Sequence, residues 1–135
     1  MQVNRQWVVD HIDIFELLTA GDVSSIVSLF ADDGHVVSPV LGTIPADDFF
    51  RTLDDASAQN VLTVHQVMSS VDDRVHAAHF TYDWTLTKGG QIEFDGVDLF
   101  EFNGADRIVS MKIFYDTHPT REEVGNKYEL PQDPA

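Results

Sequence analysis

Up to about residue 60 the apolar positions of this chain recur at helical spacing, and after Asn60 the period falls to two. Trp7, His11, Ile14, Phe15 and Leu18 form one stripe, closed by Gly21 as a C-terminal cap. Asp22 reads as the N-cap of a short second helix that carries Val23, Ile26, Val27 and Phe30 on one face. Ala31-Asp32-Asp33-Gly34 predicts a turn into a short strand from His35 to Val40. Pro45 suits the first turn of a third helix, with Asp47 and Asp48 complementing its dipole and Phe49, Phe50 and Leu53 forming its apolar stripe.

The strand pattern then runs from Val61 to Ser70, turns at Val71-Asp72-Asp73-Arg74, and continues from Val75 to Thr87. In that second segment His76, Ala78, Phe80, Tyr82, Trp84 and Leu86 share one face; His79, Thr81, Asp83 and Thr85 share the other. Lys88-Gly89-Gly90 predicts a hairpin into Gln91–Phe102, and Asn103-Gly104 predicts another into a last strand from Arg107 to Asp116. The tail from Thr117, with Pro119, Pro131 and Pro134, reads as irregular. Helices followed by a meander of long strands give an α+β fold, three N-terminal helices on a curved antiparallel sheet, in a single domain over 1–135.

One residue breaks the pattern. Asp98 lies on the apolar face of its strand, between Gly96 and Phe100. If Thr87 pairs with Gln91, Asp98 falls opposite Phe80 with Tyr82 and Ala78 on the diagonals; if Phe102 pairs with Arg107, Met111 stands on its other side. Directly opposed residues lie roughly 5 Å apart and diagonal ones about 7–8 Å, so this register puts Tyr82 within reach. A carboxyl group among such neighbours is held neutral by its surroundings and can donate a hydrogen bond to a ligand oxygen. The competing readings are that Asp98 caps some internal polar group, or that a different register leaves it exposed.

Glu16-Leu17-Leu18-Thr19-Ala20-Gly21-Asp22 and Leu29-Phe30-Ala31-Asp32-Asp33-Gly34-His35-Val36-Val37-Ser38-Pro39 resemble the opening of the SnoaL-like polyketide cyclases and ketosteroid isomerases, in the nuclear transport factor two-like superfamily. Gly96-Val97-Asp98-Leu99-Phe100-Glu101-Phe102-Asn103-Gly104-Ala105-Asp106-Arg107-Ile108 and Phe114-Tyr115-Asp116 resemble its last two strands, so the resemblance spans roughly residues 7–118. It implies a conical (cystatin-like) cavity between helices and sheet, usually in a homodimer. In the isomerases the acid matching Asp98 donates to the substrate oxyanion. Other positions depart from the pattern. The isomerase base falls at Ser38, before Pro39, and the isomerase oxyanion tyrosine falls at Ile14. Where limonene epoxide hydrolases carry an arginine two residues before the matching aspartate, this chain has Gly96.

On this reading Asp98 is the catalytic acid, with Tyr82, Tyr115 and His76 as further candidates, and Ile14, Leu18, Phe30, Ser38, Phe49, Phe50, Phe80, Met111 and Ile113 contact the ligand. His76 shares the face of Asp98 but falls opposite Phe102, nearer the sheet end; the alternative is a satisfied core histidine. Tyr82 and Tyr115 are equally readable as core aromatics with their oxygens at an edge. The ligand is a small apolar carbonyl compound and the chemistry a cofactor-free isomerisation, cyclisation or dehydration. Ser38 in the base position favours the alternative, a ligand-binding or dimerisation module without catalysis.

Composition narrows the rest. Twenty-three acidic against eight basic side chains give a net charge of −15 and a pI of 4.4, which repels phosphate backbones and anionic lipid, so neither nucleic acid nor membrane is expected as a partner. There are no cysteines, hence no disulfides or thiolate sites. His76 and His79 point to opposite faces, and His35 and His65 share no ligand spacing with an acid pair, so no metal site is expected. Neither a nucleophile elbow nor a phosphate-binding glycine loop occurs, and no cofactor is expected. Asp32-Asp33, Asp47-Asp48, Asp54-Asp55 and Asp72-Asp73 read as solvated turn and helix-start pairs. Met1-Gln2-Val3-Asn4-Arg5 leads into no apolar signal core, and a cytoplasmic location is expected. Val97, Leu99 and Phe114 fall on the outer face of the sheet, where a second subunit would cover them.

Overall fold

The computed structural model describes residues 6–116. The irregular tail expected from Thr117, and the side chains of Trp7 and His11, lie outside what it describes.

The first helix, α1 (Gln6–Ala20), stops where glycine permits the chain to reverse: Gly21 adopts φ 73°. The Gly21 amide then bonds the Leu18 carbonyl at 3.1 Å and the Asp22 amide the Leu17 carbonyl at 2.9 Å, the Schellman closure. Asp22 at once caps α2 (Val23–Val27), accepting from the Ser25 amide at 3.2 Å. This second helix is shorter than the apolar stripe suggested, because Phe30 already belongs to a strand.

That strand, β1 (Phe30–Ser38), absorbs the expected turn. Phe30 aligns with Ile108 of the last strand and His35 with Ser110, so five steps along β1 match two on its partner. The surplus makes a bulge that turns Asp32 and Asp33 to solvent. Gly34 sits inside it, where a Cβ would lie 2.9 Å from the carbonyl oxygens of both Ala31 and Ile108. The strand ends at Ser38, two residues before the expected Val40. A second strand that periodicity did not announce, β2 (Gly42–Pro45), folds back on β1 with Val36 opposite Ile44. Four residues bounded by Gly and Pro are too few to show a period. Pro45 closes that edge strand and serves as the N-cap of α3 (Ala46–Ala56), one place earlier than its expected helical position.

The chain passes from α3 into β3 (Ser57–Ser69) without a loop, so the strand starts four residues ahead of the expected Val61. The polar run Ser57-Ala58-Gln59-Asn60 concealed this. Then come β4 (Val75–Leu86), β5 (Gln91–Phe102) and β6 (Ile108–Tyr115), with turns where the sequence predicted them. The six strands are ordered β2-β1-β6-β5-β4-β3. The expected antiparallel meander is β3 to β6; β1 joins it parallel to β6, an α+β fold with helices against one face of a curved sheet.

The hairpin registers differ from expectation by two residues, with consequences for the site. Thr85, rather than Thr87, pairs with Gln91, so Asp98 lies opposite Ala78 and Phe80 opposite Gly96. A bulge after Glu101 puts Phe102 opposite Ile108 and Asp98 opposite Ile113, in place of Met111. Around Asp98 each slip is even, so it and its neighbours keep their expected face, whereas next to the turn the slip is one and Ile108 turns inward opposite Phe102.

Candidate functional site

Between α1, α3 and the concave sheet lies a cavity of about 500 Å³. Ile14, Phe15 and Leu18 line it from α1; Phe49, Phe50, Thr52, Leu53 and Ala56 line it from α3. From the sheet come Ser38, Leu62, Phe80, Tyr82, Trp84, Phe94, Asp98, Met111, Ile113 and Tyr115, and Val40 and Leu41 belong to its rim. The wall is built by simple alternation: inward residues of β4, β5 and β6 are apolar at nearly every step, and the helices add their buried stripes.

Asp98 is the exception among these. It is 1% exposed, and its Oδ1 has no hydrogen-bond partner among the described residues. Burial alone pushes its carboxyl well above the usual carboxylate range, because nothing nearby compensates an ionised form. Burial thus favours the protonated form of this group, which faces a largely apolar cavity.

Its tyrosine neighbour differs from the one expected. The observed register moves Tyr82 opposite Phe94, four residues along β5 from Asp98, and makes Tyr115 the diagonal neighbour across β6. Tyr82 has other business: its hydroxyl donates to the Oδ1 of Asn60, whose Nδ2 donates in turn to the Leu18 carbonyl at 3.5 Å. A carbonyl cannot donate, so the amide must turn its nitrogen to Leu18 and its oxygen to Tyr82. The chain of bonds ties β3 and β4 to the end of α1. Asn60, itself buried, was legible only as the point where the period changed. Burial raises both phenols, Tyr82 strongly, and both stay neutral through ordinary pH. The Tyr115 ring stacks on Phe94 at 4.5 Å between centroids.

Ser38 does line the cavity, with its oxygen engaged by the turn beyond it. The amides of Val40 and Leu41 donate to Ser38 Oγ at 3.2 and 3.3 Å. Two other expected residues stand apart from the cavity. Phe30, the first residue of β1 and paired with Ile108, packs into the core against Phe50 of α3, ring centroids 5.8 Å apart. His76 is buried edge-on against Phe102 at 5.3 Å, beyond the Asp98 end of the wall, and burial lowers its pKa against a weaker raising effect of Asp73. Phe15, Leu62, Trp84 and Phe94 line the cavity although they were not singled out; the apolar alternation already carried Trp84 and Phe94.

Gly96 shapes the wall by what it lacks. A Cβ there would fall 2.6 Å from Cζ of Phe80, whose ring covers the glycine and meets Phe15 of α1 at 5.2 Å. Among the described residues no cluster of side chains could hold a metal ion, and no helix is long and apolar enough to cross a membrane.

Comparison with known proteins agrees with this architecture. The fold is similar to that of SalBIII, an epoxide hydrolase/cyclase-like enzyme in pyran ring formation of the polyether salinomycin: TM-score 0.74, 19% identity, covering 88% of this chain and 97% of that one. It is similar to RV0760c from Mycobacterium tuberculosis, solved with estradiol-17beta-hemisuccinate: TM-score 0.71, 18% identity, covering 83% and 95%. An NTF2-like protein from Exiguobacterium sp. 255-15 matches with TM-score 0.68 and 19% identity over 78% and 97%. At these identities the likeness is one of fold. The model of the SnoaL-like domain matches residues 12–111, and with it the chain belongs to the SnoaL-like family.

Proposed function

We propose that this protein binds a small, largely apolar carbonyl compound in the cavity, with neutral Asp98 donating a hydrogen bond to the carbonyl oxygen. The observation that carries the reading is the buried Asp98 carboxyl, one oxygen of which has no partner among the described residues, in a largely apolar wall. A buried polar group without a partner is costly, and a ligand oxygen supplies the missing bond. Such a bond also polarises the carbonyl and acidifies the adjacent C–H, the first requirement of isomerisation, aldol-type cyclisation or dehydration. Two proteins of similar fold support the reading, one a cyclase-like enzyme and the other solved with a steroid ester. Tyr115, diagonal to Asp98, is the second polar group at that end; Tyr82 acts through its ring.

A second reading, binding without turnover, is favoured by Ser38. Proton transfer needs a base, and a serine oxygen that already accepts two amide hydrogens is a poor one. A homodimer joined through the outer sheet face and a cytoplasmic location complete the proposal.

The test uses 2-decalone labelled with ¹³C at the carbonyl. Binding through Asp98 moves the carbonyl resonance downfield, less in Asp98→Asn and not at all in Asp98→Leu; an identical shift in all three would end the reading. Hydrogen exchange at the α-carbons in D₂O separates the two versions. Protein-dependent exchange supports catalysis, and bound ketone without exchange supports a binding module.

A further inference from the structure

We infer that Ser38 is a second hydrogen-bond donor two strands from Asp98 on the same wall of the cavity, so that the site selects an apolar compound with two acceptor oxygens, such as a diketone, over a monoketone. The inference rests on the proposed role of Asp98 and adds a separate residue to it.

A serine hydroxyl has one proton and two lone pairs. The amides of Val40 and Leu41 both point at Ser38 Oγ, which takes up its accepting capacity. What remains is the O–H, and it makes no hydrogen bond to a described residue. Ser38 lines the cavity, so the proton is available there and the oxygen is not. The turn holds the group in place: the same two bonds that remove it as a base fix it as a donor.

Strand register gives the spacing. Val36 aligns with Met111 and Val37 with Lys112, so the next inward step sets Ser38 beside Ile113, and Ile113 lies opposite Asp98. Ser38, Ile113 and Asp98 thus stand in a row over three neighbouring strands. At about 4.8 Å per strand the backbones of the two donors are about 10 Å apart, with the apolar side chain of Ile113 between them. A fused bicycle with oxygens at opposite ends spans that gap once both side chains lean inward. Tyr82 does not supply a competing donor, because its proton is committed to Asn60.

The test compares 2-decalone with decalin-2,6-dione by NMR titration of wild type, Ser38→Ala, Ser38→Thr, and Asp98→Leu. One added hydrogen bond predicts a dione bound about fivefold tighter than decalone by wild type. Ser38→Ala should abolish that preference, weakening the dione more than decalone, and Ser38→Thr, which keeps the hydroxyl, should restore it. Equal affinity for the two ketones in wild type, or an equal loss for both in Ser38→Ala, would overturn the donor role. If decalone binding falls in Asp98→Leu while the dione shows no preference, only the Ser38 inference fails. Decalone binding indifferent to Asp98→Leu, or no binding of either ketone, defeats the Asp98 reading and this one with it.

Discussion

Asp98 and Tyr115 are diagonal neighbours across β5 and β6: Asp98 pairs with Ile113, and Tyr115 is the next inward residue of the same strand. Tyr82 is four residues away along the sheet and hydrogen-bonded elsewhere. The two phenols should therefore answer differently to loss of their oxygens. Tyr82→Phe strands the buried Asn60 oxygen and should cost about 1–3 kcal/mol of stability. Tyr115→Phe should leave stability within about 0.5 kcal/mol, since it breaks no hydrogen bond with a described residue. Urea unfolding of both variants decides; a larger loss for Tyr115→Phe would contradict the assignment.

Gly96→Ala tests the packing that shapes the wall. The new methyl would meet the Phe80 ring at 2.6 Å and the Phe114 carbonyl at 3.1 Å, so the ring must move or the strand must. Overpacking of this kind costs about 1–3 kcal/mol. Adding Phe80→Leu should recover part of it. A thermal midpoint for Gly96→Ala equal to wild type would show that Phe80 has room to shift.

On the outer face Val97 pairs with Phe114, and Met68 and Ala77 continue toward Leu99. Phe114 is 46% and Met68 48% exposed, in a chain otherwise rich in acids. Sedimentation equilibrium should give twice the 15.1 kDa chain mass, and Phe114→Glu should return it to one. A wild-type mass of one chain would refute the dimer.

What could be read from sequence follows from where period and face suffice. Alternation in β4 and β5 marked Asp98 as inward without any knowledge of its partners, because a two-residue slip preserves the face. The same slip moved its neighbours, exchanging Tyr82 for Tyr115 and Phe80 for Ala78, since bulges and turn lengths leave no trace in a hydrophobic pattern. Phe30 continued a helical stripe and proved to be a strand residue, its backbone governed by pairing with Ile108. Asn60 and the Ser38 turn stayed hidden because their meaning lies in hydrogen bonds to Leu18, Tyr82, Val40 and Leu41.

The protonation state of Asp98 is the centre of the account. Burial raises its folded-state pKa, whereas in the unfolded chain the group titrates near the ordinary value of about 3.9. As pH rises from there the unfolded chain gives up the proton first, so the site costs stability progressively until the folded-state pKa is reached. Asp98→Asn should remove that pH-dependent loss and leave the rest of the stability profile in place. The most direct measurement is a carboxyl-carbon NMR titration of Asp98, assigned by its disappearance in Asp98→Asn. A midpoint well above about 3.9, rising further when an apolar ketone displaces water from the cavity, is the predicted result. A midpoint at or below that value would mean a solvated or ion-paired carboxylate, and Asp98 could not be the donor proposed for this site.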